Sequence, residues 1–213
     1  MKGHKWFAAI YDRMMASEER KFFGAIREEM LNDVTGEVLE IGAGTGVNFQ
    51  YYRNGAHITA IEPDPYMLER ARKRAEEASA NIELHQAPAE ELPFPDATFD
   101  FVIDTLVLCS VRDPRRALTE MKRVLKPGGE LRLYEHVRYQ NPIGAISQDI
   151  ISPVWQWFGA GCHPNRDTER LVREAGFELT SVQMRKELPP IPPMIFSRPH
   201  LQAVARRPGQ ENE

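Results

Sequence analysis

The chain has 213 residues, of which 42% are hydrophobic and 27% charged, and its 27 basic and 31 acidic residues give a net charge of −4. This balance excludes an intrinsically disordered chain, and the mild acidity argues against a nucleic-acid partner, which usually needs a basic surface. Two cysteines, Cys109 and Cys162, are too few for a disulfide framework.

No apolar run reaches the roughly 18 residues that a transmembrane helix needs, so the sequence predicts no integral membrane segment. A peripheral contact with a membrane stays open. The first residues, Met1 to Trp6, lack the apolar core of a signal peptide, and we therefore expect a cytoplasmic protein.

Helices and strands are predicted to alternate along most of the chain. Apolar residues at helical spacing predict helices over residues 6–31, 46–52, 64–78, 114–125, 143–158 and 166–175. Short apolar runs next to turn residues predict strands over residues 38–41, 58–61, 81–86, 99–104, 130–137, 177–186 and 201–206.

This alternation predicts an α/β fold, a Rossmann-like, seven-stranded, mostly parallel sheet with helices on both faces. The last two strands have no helix between them, so we expect one of them to run antiparallel at the sheet edge.

The chain is expected to form one large domain with a helical addition. Residues 1–34 are predicted to form an N-terminal helical cap, residues 35–207 the main domain, and residues 208–213 a disordered tail. Within the main domain, residues 139–165 and 187–199 are rich in aromatic, aliphatic and proline residues. We expect these two segments to act as apolar lids over a binding site at the carboxyl ends of the strands.

A glycine-rich loop stands where the first strand gives way to the first helix of the sheet. Gly42, Gly44 and Gly46 would allow a tight turn and a close approach of a ligand to the backbone. Glu62, at the end of the second strand, follows Gly42 at the separation typical of a carboxylate that binds ribose hydroxyls. A ligand with a ribose is the favoured interpretation, and a turn kept for packing alone is the alternative.

The spacing of these glycines separates the loop from two other nucleotide-binding loops. It departs from the G-x-G-x-x-G of dinucleotide-binding enzymes, which disfavours an NAD-dependent enzyme, and the chain has no P-loop motif. A ligand with a ribose but no pyrophosphate therefore fits better.

Four segments resemble the motifs of class I S-adenosylmethionine-dependent methyltransferases of the type 11 group. They occur in order and together cover about residues 35 to 137: Val38–Gly46, Ile61–Asp64, Ala89–Phe94 and Arg123–Gly129. The resemblance implies S-adenosylmethionine as the cofactor.

Individual residues take their expected roles from this resemblance. The positions implied to bind the methionine part, the ribose, the adenine and the sulfonium of the cofactor are Tyr11, Glu40, Gly42, Ala43, Gly44, Asn48, Glu62, Pro63, Met67, Ala89, Glu90, Thr105 and Leu106. Among them, Glu62 would hold the ribose hydroxyls, while Thr105 and Leu106 would lie beside the sulfonium.

A narrower resemblance points to the acceptor. Residues 44–52, 105–111 and 135–137 are similar to the methyltransferase-like proteins that methylate alkyl thiols in animals. This implies a small, partly hydrophobic acceptor, with a thiol as one candidate. The alternatives are N-, O- or C-methylation of a quinone, lipid or metabolite, and a non-catalytic cofactor-binding protein on the same fold.

His136 is the candidate catalytic base, because it is predicted at the carboxyl end of a strand, where active sites of such sheets lie. The alternative is that His136 only shapes the pocket. Cys109 is expected to be a buried hydrophobic residue and Cys162 part of a lid. The sequence shows no cluster of His, Cys and carboxylates with ligand spacing, so no metal site is predicted.

Overall fold

The three-dimensional structure is a computed structural model that describes residues 19–53, 55–159, 161–185 and 194–209. Four parts of the predictions lie outside the described residues. These are the candidate cofactor residue Tyr11, residues 1–18 of the helical cap, residues 187–193 of the second lid and residues 210–213 of the tail.

Seven strands form one sheet in the order β3-β2-β1-β4-β5-β7-β6. Their bounds are β1 Gly36–Ile41, β2 Ala56–Ile61, β3 Asn81–His85, β4 Phe99–Thr105, β5 Leu125–His136, β6 Glu178–Arg185 and β7 His200–Arg206. Strands β1 to β5 pair in parallel, and β7 pairs antiparallel with both β5 and β6. The predicted fold class is confirmed.

The antiparallel strand belongs to the edge pair of the sheet but is not its outermost strand. Strand β7 lies between β5 and β6, and β6 forms the edge. Burial gives the physical reason, because most residues of β7 are buried whereas most of β6 is exposed or half-buried. The more apolar strand therefore takes the inner position.

Five α-helices connect and cover the strands in the described part of the chain. Their bounds are α1 Gly24–Leu31, α2 Pro65–Glu77, α3 Pro114–Val124, α4 Pro142–Phe158 and α5 Thr168–Glu174. Helices α2, α3 and α4 each begin with an Asp or Asn cap followed by proline, which pre-sets the first helical turn.

Two predicted elements differ from the structure. The helix expected over residues 46–52 is only a 3₁₀ turn, Val47–Tyr51, which follows Gly46 in the left-handed region at φ 82°. Strand β5 begins at Leu125, earlier than expected, and takes in the Lys-Pro-Gly-Gly stop signal. Its pairing with β4 is irregular at that point, between Phe99 and Phe101.

Helices pack on both faces of the sheet. Buried side chains of α3 and α5 share one hydrophobic cluster with β1, β4, β5 and β7. On the other face, buried residues of α1, α2 and the 3₁₀ turn pack against β1 and β2. No helix in the described part of the chain is long and apolar enough to span a membrane.

Candidate functional site

The glycine loop leaves the end of β1 in a left-handed conformation. Gly42 and Gly44 have φ values of 60° and 58°, and Ala43 N donates to Ile61 O at 2.9 Å. A Cβ built on Gly42 would lie 2.6 Å from Val107 Cγ2, whereas one built on Gly44 would meet nothing within 4 Å. The loop therefore packs against the segment after β4 at Gly42 and faces open space at Gly44.

Glu62 links this loop to the start of α2. One carboxylate oxygen accepts from Gly44 N and the other from Asp64 N, both at 2.8 Å. Burial raises the pKa of Glu62, while the two backbone N–H groups favour its charged form. Each oxygen keeps a further lone pair that can accept from a ligand hydroxyl.

A buried polar network lies beneath the loop and is centred on Glu40. Its carboxylate accepts from Tyr52 Oη at 2.8 Å and from Asn48 Nδ2 at 3.1 Å. Arg27 Nη1 donates to Asn48 Oδ1 at 2.5 Å, and Asn48 Nδ2 also donates to Thr105 Oγ1 at 3.3 Å. The network thus joins three predicted site residues, Glu40, Asn48 and Thr105, to each other.

Sequence reasoning missed the other two members of this network, Arg27 and Tyr52. Arg27 belongs to α1 and is buried, an unusual place for an arginine unless it has a partner. Nothing in the sequence around Arg27 predicts its contact with Asn48, because only the packing of α1 on the sheet brings the two residues together.

Among the remaining predicted cofactor residues, Met67 and Ala89 are buried and Pro63 is half-buried. Leu106 has a φ of 61°, a strained conformation for a residue other than glycine, and Leu106 N donates to Tyr134 O at 2.8 Å. Such strain is typical of functional sites, where the surrounding structure holds it in place.

The Glu90 side chain lies at the start of α3. Glu90 Oε1 accepts from Arg112 N at 2.9 Å and from Asp113 N at 3.3 Å. These bonds tie the segment after β3 to the helix that covers β4. Only the other oxygen and the remaining lone pairs of Glu90 are left to bind a ligand.

Glu135, next to the candidate base, fixes the loop after β4. Its Oε1 accepts from Val107 N at 2.5 Å and Leu108 N at 3.0 Å, and its Oε2 accepts from Cys109 N at 2.7 Å. Burial raises the pKa of Glu135, and the hydrogen bond from Cys109 N opposes that shift. Sequence reasoning missed this residue, although an acid at a strand end was an available signal.

His136 ends β5, is half-buried and lies against both cysteines of the chain. Its Nδ1 atom lies 3.6 Å from Cys109 Sγ and 3.4 Å from Cys162 Sγ, and the two sulfurs are 3.5 Å apart. Both cysteines are buried and free, so the expected burial of Cys109 is confirmed, although its sulfur lies against polar atoms of Ser110 and His136. The cluster of these three side chains is the Cys109–His136–Cys162 group.

The sequence did not predict this group, because its members have no ligand-type spacing. The two cysteines are 53 residues apart, and His136 lies about midway between them in the chain. The parallel pairing of β4 with β5 and the loop after α4 bring them together. The ligand atoms all lie within 4.8 Å of one another, which makes this group a candidate metal centre among the described residues.

Comparisons with known proteins place the chain among methyltransferases. Residues 39–133 match the family model of a methyltransferase domain. The chain is 35% identical to human thiol S-methyltransferase TMT1B over 84% of this chain and 75% of that protein. It is 39% identical to the phosphatidylethanolamine N-methyltransferase of Cereibacter sphaeroides over 54% of this chain and 58% of that protein.

A solved structure extends the similarity to nearly the whole chain. An S-adenosylmethionine-dependent methyltransferase from Thermotoga maritima superposes with a TM-score of 0.62 at 25% identity. The match covers 96% of this chain and 100% of that one.

Proposed function

Because this chain belongs to the S-adenosylmethionine-dependent methyltransferase family that includes human thiol S-methyltransferase TMT1B, we propose that its acceptor is a small thiol. The chain is an enzyme, and S-adenosylmethionine is its methyl donor. The observation that carries the thiol proposal is the 35% identity to TMT1B over 84% of this chain.

The residues around the glycine loop fit the cofactor. Gly44 faces open space that a side chain would partly fill, and Glu62 has free lone pairs beside it. We propose that Glu62 accepts hydrogen bonds from the ribose hydroxyls and that Gly42, Ala43 and Gly44 line the methionine part.

The other cofactor contacts proposed from the motifs surround the same edge of the sheet. Thr105, the last residue of β4, and Leu106, the next residue, would flank the reacting sulfur, and Asn48 and Glu40 support Thr105 from below. The residues proposed for the adenine side are Pro63, Met67, Ala89 and Glu90, and Tyr11 is proposed to approach from the N-terminal residues.

When bound, the cofactor supplies a methyl group on a positively charged sulfonium, which needs no further activation by the protein. The protein's task is to align the acceptor sulfur with that methyl group and to exclude water. The buried Glu40–Asn48–Thr105 network and the anchored loop after β4 provide a rigid base for this alignment.

His136 is proposed as the catalytic residue that favours the thiolate form of the acceptor. It is half-buried at the carboxyl end of β5, whereas both cysteines beside it are buried. A thiol like that of cysteine has a pKa near 8.5, so modest assistance is enough to produce the nucleophile at neutral pH.

The two predicted lids are proposed to cover the acceptor together. Tyr139 Oη donates to Ile195 O at 2.8 Å, and Gln148 Nε2 donates to Phe196 O at 2.9 Å. These bonds join residues 139–165 to the described end of the second lid. A cover of this composition favours a partly hydrophobic small molecule over a nucleic acid.

Methylation of a nitrogen, oxygen or carbon atom instead of sulfur is the second candidate function. It is favoured by the similarity to a phosphatidylethanolamine N-methyltransferase.

A cytoplasmic location is part of the proposal, since the free thiols of Cys109 and Cys162 fit a reducing compartment.

The acceptor is tested by measuring methyl transfer from S-adenosylmethionine to matched panels of alkyl thiols, aromatic thiols, amines, phenols, quinones and phospholipid vesicles. The expected result is the highest kcat/KM with a small alkyl or aromatic thiol. Faster methylation of an amine, quinone or phospholipid than of every thiol would overturn the thiol proposal in favour of the second candidate.

His136→Gln is expected to lower kcat for an alkyl thiol by about 10²-fold or more, the usual contribution of a group that assists the loss of the acceptor's proton. The loss should be smaller for an aromatic thiol, which is already ionised at neutral pH. Cofactor affinity should stay unchanged in calorimetry. An equal loss for both kinds of thiol would assign His136 a structural role instead.

A further inference from the structure

The Cys109–His136–Cys162 group brings three metal-ligating atoms to one point from three separate segments. Cys109 follows β4, His136 ends β5, and Cys162 follows α4. Backbone bonds hold the two cysteine loops in place: Cys109 N donates to Glu135 at 2.7 Å, and His163 N donates to Cys109 O at 2.7 Å. The donors are thus positioned by the fold and not by flexible chain ends.

The distances match those that a tetrahedral zinc ion requires. Bonds of about 2.3 Å to sulfur and about 2.0–2.1 Å to nitrogen place two sulfur ligands about 3.8 Å apart and each sulfur about 3.5 Å from the nitrogen. The observed sulfur–sulfur distance is 3.5 Å, and the sulfur–nitrogen distances are 3.4 and 3.6 Å. A zinc ion fits between these atoms with shifts of a few tenths of an ångström.

Charge and burial favour the same ion. The two cysteine thiolates would neutralise a divalent cation, so the buried site would carry no net charge from the ion and the cysteines before an acceptor binds. Sulfur and imidazole ligands in tetrahedral arrangement are typical of zinc, while oxygen-preferring ions such as magnesium select carboxylates. Among the described residues three such ligand atoms come together here, so a tetrahedral ion would have its fourth position left for a further ligand.

We propose that Cys109 Sγ, Cys162 Sγ and His136 Nδ1 bind a zinc ion whose fourth position receives the sulfur of the methyl acceptor. This inference rests on the proposed thiol acceptor and specifies how His136 activates it, as a zinc ligand instead of a free base. Three protein ligands with one open position are the usual pattern of catalytic zinc.

The reaction balances without a further reactant. The acceptor thiol releases its proton to water as it binds zinc, because the metal favours the thiolate. A lone pair of the acceptor sulfur forms the new bond to the methyl carbon. The electron pair of the broken carbon–sulfur bond remains on the sulfur of the donor, and the neutral thioether leaves the metal.

The first test is the metal content of the full chain purified without chelators in a phosphine reductant. Mass spectrometry of the metals is expected to find one zinc per chain, with loss of most of it in Cys109→Ser, Cys162→Ser and His136→Gln. The matched control is His57→Gln, an exposed histidine on β2 that should retain the zinc. Circular dichroism and cofactor binding verify that each variant is folded.

Cobalt replaces zinc for the second test, because its thiolate-to-metal absorption reports the ligands directly. The wild-type cobalt protein is expected to show this absorption, to lose it in the cysteine variants and to change its spectrum when an alkyl thiol is added. A wild-type protein that binds neither zinc nor cobalt after reduction would overturn the site. An unchanged spectrum with a thiol that is turned over would overturn the acceptor's coordination.

Methyl-transfer rates of the zinc-free and the zinc-loaded protein distinguish failure of the zinc site from failure of the proposed thiol function. If the zinc-free wild-type protein methylates thiols at the full rate, the zinc inference fails and the thiol function stands. If the zinc-loaded protein methylates no thiol in the panel but methylates an amine or quinone, the thiol function fails, and with it the acceptor's place on the metal.

Discussion

Glu40 shows at the scale of a single residue how the site is supported. Its side chain is almost fully buried beneath the glycine loop, and burial raises the pKa of its carboxyl from 4.5 to about 7. The hydrogen bonds from Tyr52 and Asn48 and the charge of Arg27 reduce this shift without cancelling it. Glu40 therefore changes its charge near neutral pH.

The consequence is a measurable dependence of stability on pH. Between pH 4.5 and about 7 the folded protein holds the proton of Glu40 more tightly than the unfolded chain, so the contribution of Glu40 to stability falls as pH rises through this window. Glu40→Gln removes the titration. We expect the free energy of unfolding of this variant, relative to the wild type, to rise by about 2 kcal/mol from pH 5 to pH 8.

Urea unfolding followed by circular dichroism at both pH values measures this difference. Glu69→Gln, an exposed position on α2, is the control and should follow the wild type at each pH. Parallel pH curves for the wild type and Glu40→Gln would mean that the carboxyl is ionised throughout.

The glycine loop is the element whose conformation the cofactor site needs most. Gly42 and Gly44 share the left-handed conformation, which costs about 1–2 kcal/mol for any residue with a Cβ. They differ in surroundings, since a Cβ on Gly42 collides with Val107 and a Cβ on Gly44 enters open space. Substituting each glycine in turn therefore distinguishes the contribution of the loop to stability from its contribution to cofactor binding.

Gly42→Ala is expected to lower the melting temperature more than Gly44→Ala, because only Gly42→Ala adds the collision with Val107. Combining Gly42→Ala with Val107→Ala should recover part of that loss. Gly44→Ala should weaken cofactor binding about tenfold or more, since a methyl group would occupy the space proposed for the methionine part. Thermal unfolding and titration calorimetry measure the two effects, and cofactor affinity of wild-type strength in Gly44→Ala would contradict the placement.

Capping residues in the sequence correctly predicted where two helices begin, because a cap acts on the first few residues of its own helix. Asp64 accepts from Tyr66 N and Met67 N, and Asp113 caps α3 in the same way, so both helices begin where the sequence predicts. The Lys-Pro-Gly-Gly segment was misleading. Helix α3 ends before it, at Val124, and the segment lies inside β5, because pairing with β4 extends the strand through the irregular residues.

At the scale of the whole molecule, the cofactor is expected to stabilise the fold, because it binds loops from several strands at once. A ligand at 100 times its Kd adds about 2.7 kcal/mol, which for a chain of this size raises the melting temperature by about 5–10 °C. Glu62→Gln should reduce this shift at the same cofactor concentration, whereas Glu69→Gln should not. Differential scanning fluorimetry measures the shift in melting temperature. An equal shift in both variants would mean that Glu62 does not bind the cofactor.

The sequence by itself determined the succession of strands and helices, the glycine loop and the acidic residue after β2. These features depend on side-chain periodicity, on glycine at left-handed positions and on caps, all of which act within a few residues. They were sufficient to predict the fold class and a ligand with a ribose near Gly44 and Glu62, whereas S-adenosylmethionine and the role of Glu40 came from the resemblance to a known family.

Only the tertiary structure decided which distant residues meet. It inserted β7 between β5 and β6, anchored the loop after β4 on Glu135, and assembled Cys109, His136 and Cys162 into one group. The contacts of Glu135 and of the Cys109–His136–Cys162 group join residues 26 to 53 positions apart. They depend on strand pairing and on burial across the whole sheet, and no local pattern in the sequence records them.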